Sequence, residues 1–270
     1  MPEGPEIYRA ARAVHQAVAG QAVTLTLLHP ALQARSRVLR QASVVRVHAR
    51  SKAMLTEFST GDVLYSHNQL YGEWRVHTAH EPLLKRQQRL VISTATHRVV
   101  LYSATDLSWL RTGQEHEHPY IARLGAEVLA ENCTPARLAR RLAAFPRRRL
   151  ADALLDQQVI AGLGNYLRAD ILFVAGLWPW RRLGDLLPAE LSRLASTMHR
   201  LTWRSVRSDG VLLPADDYRA LRREGQDYAA ARFFVFDREG LPCRVCDHPI
   251  ARTDLGGRGV FFCPTCQPPP

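Results

Sequence analysis

Four cysteines constrain this chain more than any other feature: Cys243-x2-Cys246, sixteen residues, then Cys263-x2-Cys266. Two such pairs fit a tetrahedral structural zinc site, each pair on a tight knuckle and a β-hairpin carrying the residues between. Two disulfides are the competing reading. The N-terminus lacks a basic stretch followed by an apolar run, so no export signal is expected, and without export disulfides are not expected either. With four thiolate ligands the ion has no open position for activating water, so one structural Zn(2+) is the expected cofactor. The fifth cysteine, Cys133, is expected to be an ordinary, partly buried thiol.

The other terminus carries a different chemistry. The chain begins Met1-Pro2-Glu3-Gly4-Pro5-Glu6, and removal of Met1 would leave Pro2 as a free secondary amine with a pKa of roughly 8. Such an amine can attack a carbonyl-level carbon and form an iminium, which draws electrons from neighbouring carbons. Glu3 stands beside it as a general acid or base. The plain alternative is a turn shaped by two prolines and a glycine.

Charge narrows the partner. The net charge is +11 and the pI about 10.0 over 270 residues, and no apolar run is long enough to span a membrane. A basic chain with a zinc ribbon points toward nucleic acid. The first 50 residues hold seven arginines against two glutamates, whereas residues 201–250 hold eight charges of each sign, so the basic face is expected largely in the first 150 residues. Of 36 basic residues only Lys52 and Lys85 are lysine. Lys52 is therefore either a chance survivor or a position where a compact point donor is wanted over a planar fork.

The pattern of apolar residues sets the organisation. Residues 5–19 read as a helix with Pro5 in its first turn and Gly20 as its stop. From 22 to about 112, short period-two runs such as 44–47, 54–58 and 98–102 predict strands in a two-layer sandwich. After Gly125 the texture turns helical, with helices expected over 134–142, 150–157, 165–175 and 188–206, so 113–132 is the expected linker. In it, His116-Glu117-His118 reads as a solvated hinge segment rather than a metal site. Trp178-Pro179-Trp180 reads as helix-end packing. The stretch Leu155 to Leu167 breaks a helical pattern with Gly162 and Gly164. There Asn165 is expected to cap the next helix and the turns to cradle phosphate.

Taken in order, Pro2-Glu3, Lys52, the Gly-x-Gly-Asn turn and the four-cysteine ribbon resemble the formamidopyrimidine-DNA glycosylase and endonuclease VIII family of base-excision repair enzymes. The resemblance runs through His118-Pro119-Tyr120-Ile121-Ala122-Arg123-Leu124-Gly125 and Phe234-Val235-Phe236-x3-Gly240-x-Pro242-Cys243. Tyr65-Ser66-His67-Asn68-Gln69-Leu70-Tyr71-Gly72 is similar to the bacterial endonuclease VIII branch.

That resemblance implies an α+β fold: an N-terminal β-sandwich with an N-terminal helix (1–124), a helical helix–two-turn–helix domain (125–232) and a β-hairpin zinc finger (233–270), with DNA between. It implies a monomeric, cytoplasmic enzyme acting on damaged double-stranded DNA without membrane or small-molecule cofactor. Pro2 would attack C1′ of the damaged nucleotide, and β- then δ-elimination would cut the strand. Glu3 would protonate and open the sugar, and Glu6 would support the helix start. Lys52 would hold a phosphate or the sugar, Gly164 and Asn165 would bind backbone phosphate, and Arg258 would grip phosphates from the finger's tip. Gln69, Leu70 and Tyr71 would fill the gap left by the everted nucleotide. Extrusion costs a few kcal/mol of stacking, and a leucine and an aromatic are suitable wedges. Two alternatives stand beside this reading: the sister specificity for oxidised purines such as 8-oxoguanine, and a zinc-ribbon nucleic-acid-binding protein without catalysis. The fold of 208–232, where a base-capping loop could lie, is not legible.

Overall fold

The computed structural model describes residues 2–35, 39 and 42–270; Met1, whose removal the amine chemistry requires, lies outside them. The chain divides into two compact units, Met1–Arg123 and Leu124–Pro270.

The first unit opens with α1 (Gly4–Val18). Pro5 sits in its first turn, and Glu3 and Glu6 close a reciprocal capping box in which Glu6 Oε2 accepts from the Glu3 N–H at 2.9 Å. Gly20 stops the helix in the left-handed region, φ 72°. Two antiparallel four-stranded sheets follow. One has the order β1 (Thr24–Leu27), β6 (Gln88–Ser93), β7 (His97–Tyr102), β5 (Glu73–Thr78). The other runs β2 (Val44–Arg50), β3 (Ala53–Phe58), β4 (Asp62–His67), β8 (Asp106–Arg111). A short helix, α2 (Pro30–Gln33), lies between β1 and β2.

Strand alternation explains the core. Met54, Phe58, Leu64, Leu90, Ile92, Val99 and Leu101 meet Ile7, Val14 and Val18 of α1 in one buried cluster. The alternate residues Ala53, Leu55, Val63 and Tyr65 are also buried, because Ile121 of α3 (Pro119–Ala122) and Tyr120 cover that outer face. The expected linker is thus partly structured. His118 is no solvated hinge residue: its ring stacks on Tyr65 with centroids 3.9 Å apart, while His116 and Glu117 are exposed as expected.

In the second unit, β9 (Ala126–Glu127) pairs in parallel with β10 (Ile160–Ala161). Gly125 lets this happen, since a Cβ there would lie 2.3 Å from the carbonyl oxygens of Gln158 and Val159. The helices are α4 (Pro135–Ala143), α5 (Leu150–Ala153), α6 (Asn165–Val174), α7 (Pro188–Arg207), α8 (Ala215–Arg223) and α9 (Tyr228–Ala231). Leu138, Leu142, Leu154, Leu167, Ile171, Leu194, Met198 and Leu201 build a core around α4, α5, α6 and α7, which also takes in Cys133. The helix expected over 150–157 is only four residues long, because the chain leaves it for two successive turns. The illegible stretch 208–232 folds into α8 and α9. A hairpin of β11 (Ala251–Leu255) and β12 (Arg258–Phe262) completes the unit. Trp178 and Trp180, beyond the end of α6, pack against Phe262 of that hairpin at 5.1 and 5.0 Å.

Candidate active site and metal centre

Lys52 and the segment 69–71 of the first unit lie where strands end. Ser51 and Lys52 form the two-residue turn between β2 and β3, with Ser51 left-handed at φ 58°. Lys52 is 8 % exposed. Its turn is fixed by Tyr120, whose hydroxyl donates to Ser51 Oγ at 3.2 Å and accepts from the Lys52 N–H at 3.3 Å. Sheet register places Ala53 opposite His67 and His67 opposite Asp106, so Lys52 adjoins the end of β4.

From that end the chain crosses between sheets through 68–72, the segment holding Gln69, Leu70 and Tyr71. Leu70 and Tyr71 are 58 % and 72 % exposed, so they are not strand core. The loop closes tightly: Gly72 N–H donates to Asn68 O at 2.7 Å, and a Cβ on Gly72 would lie 2.6 Å from that oxygen. Gln69 takes φ 49°; its N–H donates to His67 Nδ1 at 3.0 Å and its Oε1 accepts from Thr105 Oγ1 at 3.3 Å. Burial lowers the His67 pKa, with Asp106 opposing and Lys52 reinforcing. The neutral ring is the form whose Nδ1 can accept that bond.

Pro2, Glu6, Leu70 and Tyr71 line one cavity of about 400 Å³, together with Trp74 and Arg86. Glu3 is buried, 4 % exposed, in the capping box beside it. A candidate amine, two carboxylates and an exposed apolar loop therefore meet within one unit.

The second unit holds the remaining candidates. Gln157 staples the two turns between α5 and α6, its Nε2 donating to Leu155 O and Leu163 O at 2.9 Å each and its Oε1 accepting from the Gly162 N–H at 3.0 Å. The cap of α6 is Gly164, not Asn165, which is the first helical residue. Its side chain is used elsewhere: Nδ2 donates to Gly259 O at 3.1 Å, and Oδ1 accepts from Arg168 Nη2 at 2.6 Å. Arg168, fully buried, also donates to Gly259 O at 2.7 Å. This ties the amino end of α6, where helix N–H groups and dipole favour anions, to the residue next to Arg258. Arg258 begins β12 and is exposed, paired with Leu255 across a Gly256-Gly257 turn with φ 56° and 74°. Sequence reasoning passed over Gln157, inside the stretch 155–167, and Arg168, the residue after it; most of their partners are backbone atoms that no pattern displays.

The metal centre is local. The ligand atoms of Cys243, Cys246, Cys263 and Cys266 lie within 4.8 Å of one another, the only group of this kind among the described residues. Neighbouring sulfurs stand 3.5–3.8 Å apart, the edge of a tetrahedron with Zn–S bonds of about 2.3 Å and far beyond a disulfide bond of about 2.05 Å. The Cys266 N–H donates to Cys263 Sγ at 3.4 Å, a knuckle contact that stabilises a thiolate. Burial and the neighbouring thiols push the Cys266 thiol up, and a divalent cation reverses that by taking the thiolates directly. Gln267, also passed over, is fully buried; its Oε1 accepts from the Cys263 N–H and its Nε2 donates to Leu177 O, tying the second knuckle to the chain beyond α6.

Comparison with known proteins adds to this geometry. Residues 1–106 match the Formamidopyrimidine-DNA glycosylase N-terminal domain, 124–214 the Formamidopyrimidine-DNA glycosylase H2TH domain, and 240–269 the zinc finger found in FPG and IleRS. Endonuclease 8 of Escherichia coli is 40 % identical over 271 residues, covering 99 % of this chain and all of that one. Endonuclease 8 of Shigella sonnei is 40 % identical over 274 residues with the same coverage. Among solved structures, Lactococcus lactis formamidopyrimidine-DNA glycosylase superposes with a TM-score of 0.80 at 20 % identity over 99 % of this chain and 100 % of that chain. That structure was solved bound non-covalently to DNA containing an AP site, and another of the same enzyme, with equal TM-score, identity and coverage, holds DNA with an oxidised pyrimidine.

Proposed function

The chain belongs to the formamidopyrimidine-DNA glycosylase and endonuclease VIII family, and from that premise we propose that it excises oxidised pyrimidines from damaged double-stranded DNA and cuts the strand at the abasic site left behind. The observation that carries this reading is the cavity shared by Pro2, Glu6, Leu70 and Tyr71. It sets the candidate nucleophile next to the loop suited to fill the gap left by an everted nucleotide.

The chemistry follows from the residues. The Pro2 nitrogen attacks C1′; the C1′–N bond breaks, and the base leaves with its electron pair and takes up a proton. Glu3 gives a proton to O4′ as the sugar ring opens, and the Pro2 nitrogen loses its own proton to become the iminium. Loss of a 2′ proton then expels the 3′ phosphate, and δ-elimination expels the 5′ phosphate. Lys52, in its buried turn, holds a phosphate or the sugar at the lesion. Gly164, Asn165 and Arg258 grip backbone phosphate from the second unit, with Arg168 and Gln157 shaping that surface. Zinc, held by Cys243, Cys246, Cys263 and Cys266, supplies structure to the finger. We assign 1–124 to catalysis, 125–232 to DNA binding through the two turns and 233–270 to the finger, the whole acting as a monomer.

Borohydride trapping on two duplexes tests the reading, one with thymine glycol and one with 8-oxoguanine opposite cytosine. The expected result is a covalent adduct at Pro2, mainly with thymine glycol. A preference for 8-oxoguanine would move the specificity to the sister branch, and no adduct from protein confirmed to start at Pro2 would end the iminium mechanism. Arg258→Ala gives a separate check. Loss of one phosphate contact is expected to weaken duplex binding alike for all sequences and to reduce the log–log salt slope by about one. An unchanged slope in a salt titration would remove Arg258 from the interface.

A further inference from the structure

The exposed side chains of Leu70 and Tyr71 do little to hold their own loop, so the shape of 69–71 comes from its backbone and from Gln69. Two of its restraints are local, the Gly72–Asn68 closure and the Gln69–His67 bond. Two more come from outside: Thr105 donates Oγ1 to Gln69 Oε1 at 3.3 Å, and Arg86 supplies the other. Arg86, fifteen residues on in the connection between β5 and β6, donates Nη2 to the Tyr71 carbonyl at 2.7 Å. Its Nη1 donates to the carboxylate of Glu73, the first residue of β5, which also accepts from Arg75 Nε at 2.6 Å. The guanidinium carbon lies 5.8 Å from the centre of the Tyr102 ring, and the same side chain lines the cavity that contains Pro2.

We propose that Arg86 is a positioning residue for base eversion: anchored by Glu73, it fixes the Tyr71 carbonyl so that Leu70 and Tyr71 meet the duplex already shaped for insertion. The inference rests on the wedge role given to that loop under the proposed function. A fork with two separate Nη donors bridges a carboxylate and a carbonyl at once, which a lysine ammonium on a flexible stem does not reproduce. Preorganising the loop removes an ordering cost that each encounter with a lesion would otherwise carry.

The test compares Arg86→Ala, Arg86→Lys and a Leu70→Ala/Tyr71→Ala double variant with the wild-type protein. Two rates are measured for each: base release from a thymine-glycol duplex, and cleavage of a single-stranded oligonucleotide with an abasic site, where no base has to be expelled. Arg86→Ala is expected to lower the duplex-to-single-strand ratio about tenfold to a hundredfold, through kcat more than KM, with little recovery in Arg86→Lys. Placed in the double variant, it should lower the ratio no further, because the side chains it aims are gone. A general folding defect would depress both rates together, and an unchanged ratio in Arg86→Ala overturns the inference. If the double variant also keeps the wild-type ratio, the wedge reading falls with it. If the double variant loses the ratio and Arg86→Ala does not, only the role of Arg86 falls.

Discussion

A chain kept from starting at Pro2, by retained Met1 or an N-terminal tag, is expected to lose base excision by on the order of 10³-fold or more while still binding lesion duplex. The nitrogen would then be an amide, with its lone pair delocalised into the carbonyl and no proton to give up. None of the other residues that line the cavity carries an amine, and Lys52 is not among them. The measurement pairs mass spectrometry of the N-terminus with single-turnover base release and a binding isotherm on the same preparation. Full excision by a chain that still carries Met1 would rule out the Pro2 amine. Loss of both excision and binding would instead point to damage at α1, whose capping box begins at Glu3.

The second large effect concerns the metal. One zinc per chain is expected, and its removal by a strong chelator, or Cys246→Ser, should unfold the hairpin that carries Arg258. Structural zinc contributes about 10–16 kcal/mol of apparent binding free energy in small finger peptides, more than the local packing of such a hairpin can replace. Phe261 and Ile250 pack around Cys243 and Cys263, so the small core of the finger is built on its ligands. Duplex affinity should fall at least as far as in Arg258→Ala, with the helical core around Leu167 and Met198 still protected in hydrogen exchange. Metal analysis and exchange on metal-free protein check this; an intact, DNA-binding finger after complete zinc removal would contradict it.

Features whose causes are local were the legible ones. The two cysteine pairs, Pro5 and Gly20 at the ends of α1, and the alternating strands at 54–58 and 98–102 each announce themselves within a few residues. What stayed hidden depends on atoms far along the chain. Arg168 acts on Gly259 O, 91 residues away, and Gln267 on Leu177 O, 90 residues away. Both acceptors are carbonyls, present at every residue and so carrying no signal. Asn165 misled as a cap because asparagine and glycine both suit that position; Gly164 took it, and the asparagine side chain turned to the hairpin. The helix expected over 150–157 ends at Ala153, and Gln157, a good helix former, lies beyond it with its amide bonded to the turns. His118 looked like linker because nothing in sequence shows that Tyr65 offers it a ring to stack on.

Ser51, Gln69 and Ser103 are all left-handed, at φ 58°, 49° and 54°, although none is glycine. All three lie at one end of the sandwich, where β2 turns into β3, where β4 ends and where β7 hands the chain to β8. Each is a place where glycine would relieve backbone strain, and where a programme selecting for thermostability alone would find an easy gain. Yet Ser51 holds the tyrosine that fixes the Lys52 turn, and Gln69 is one of the three residues proposed to occupy the duplex. Stability gained there would be taken from the end of the sandwich that holds the proposed site, so heat resistance is better sought in the opposite loops and in the helical unit.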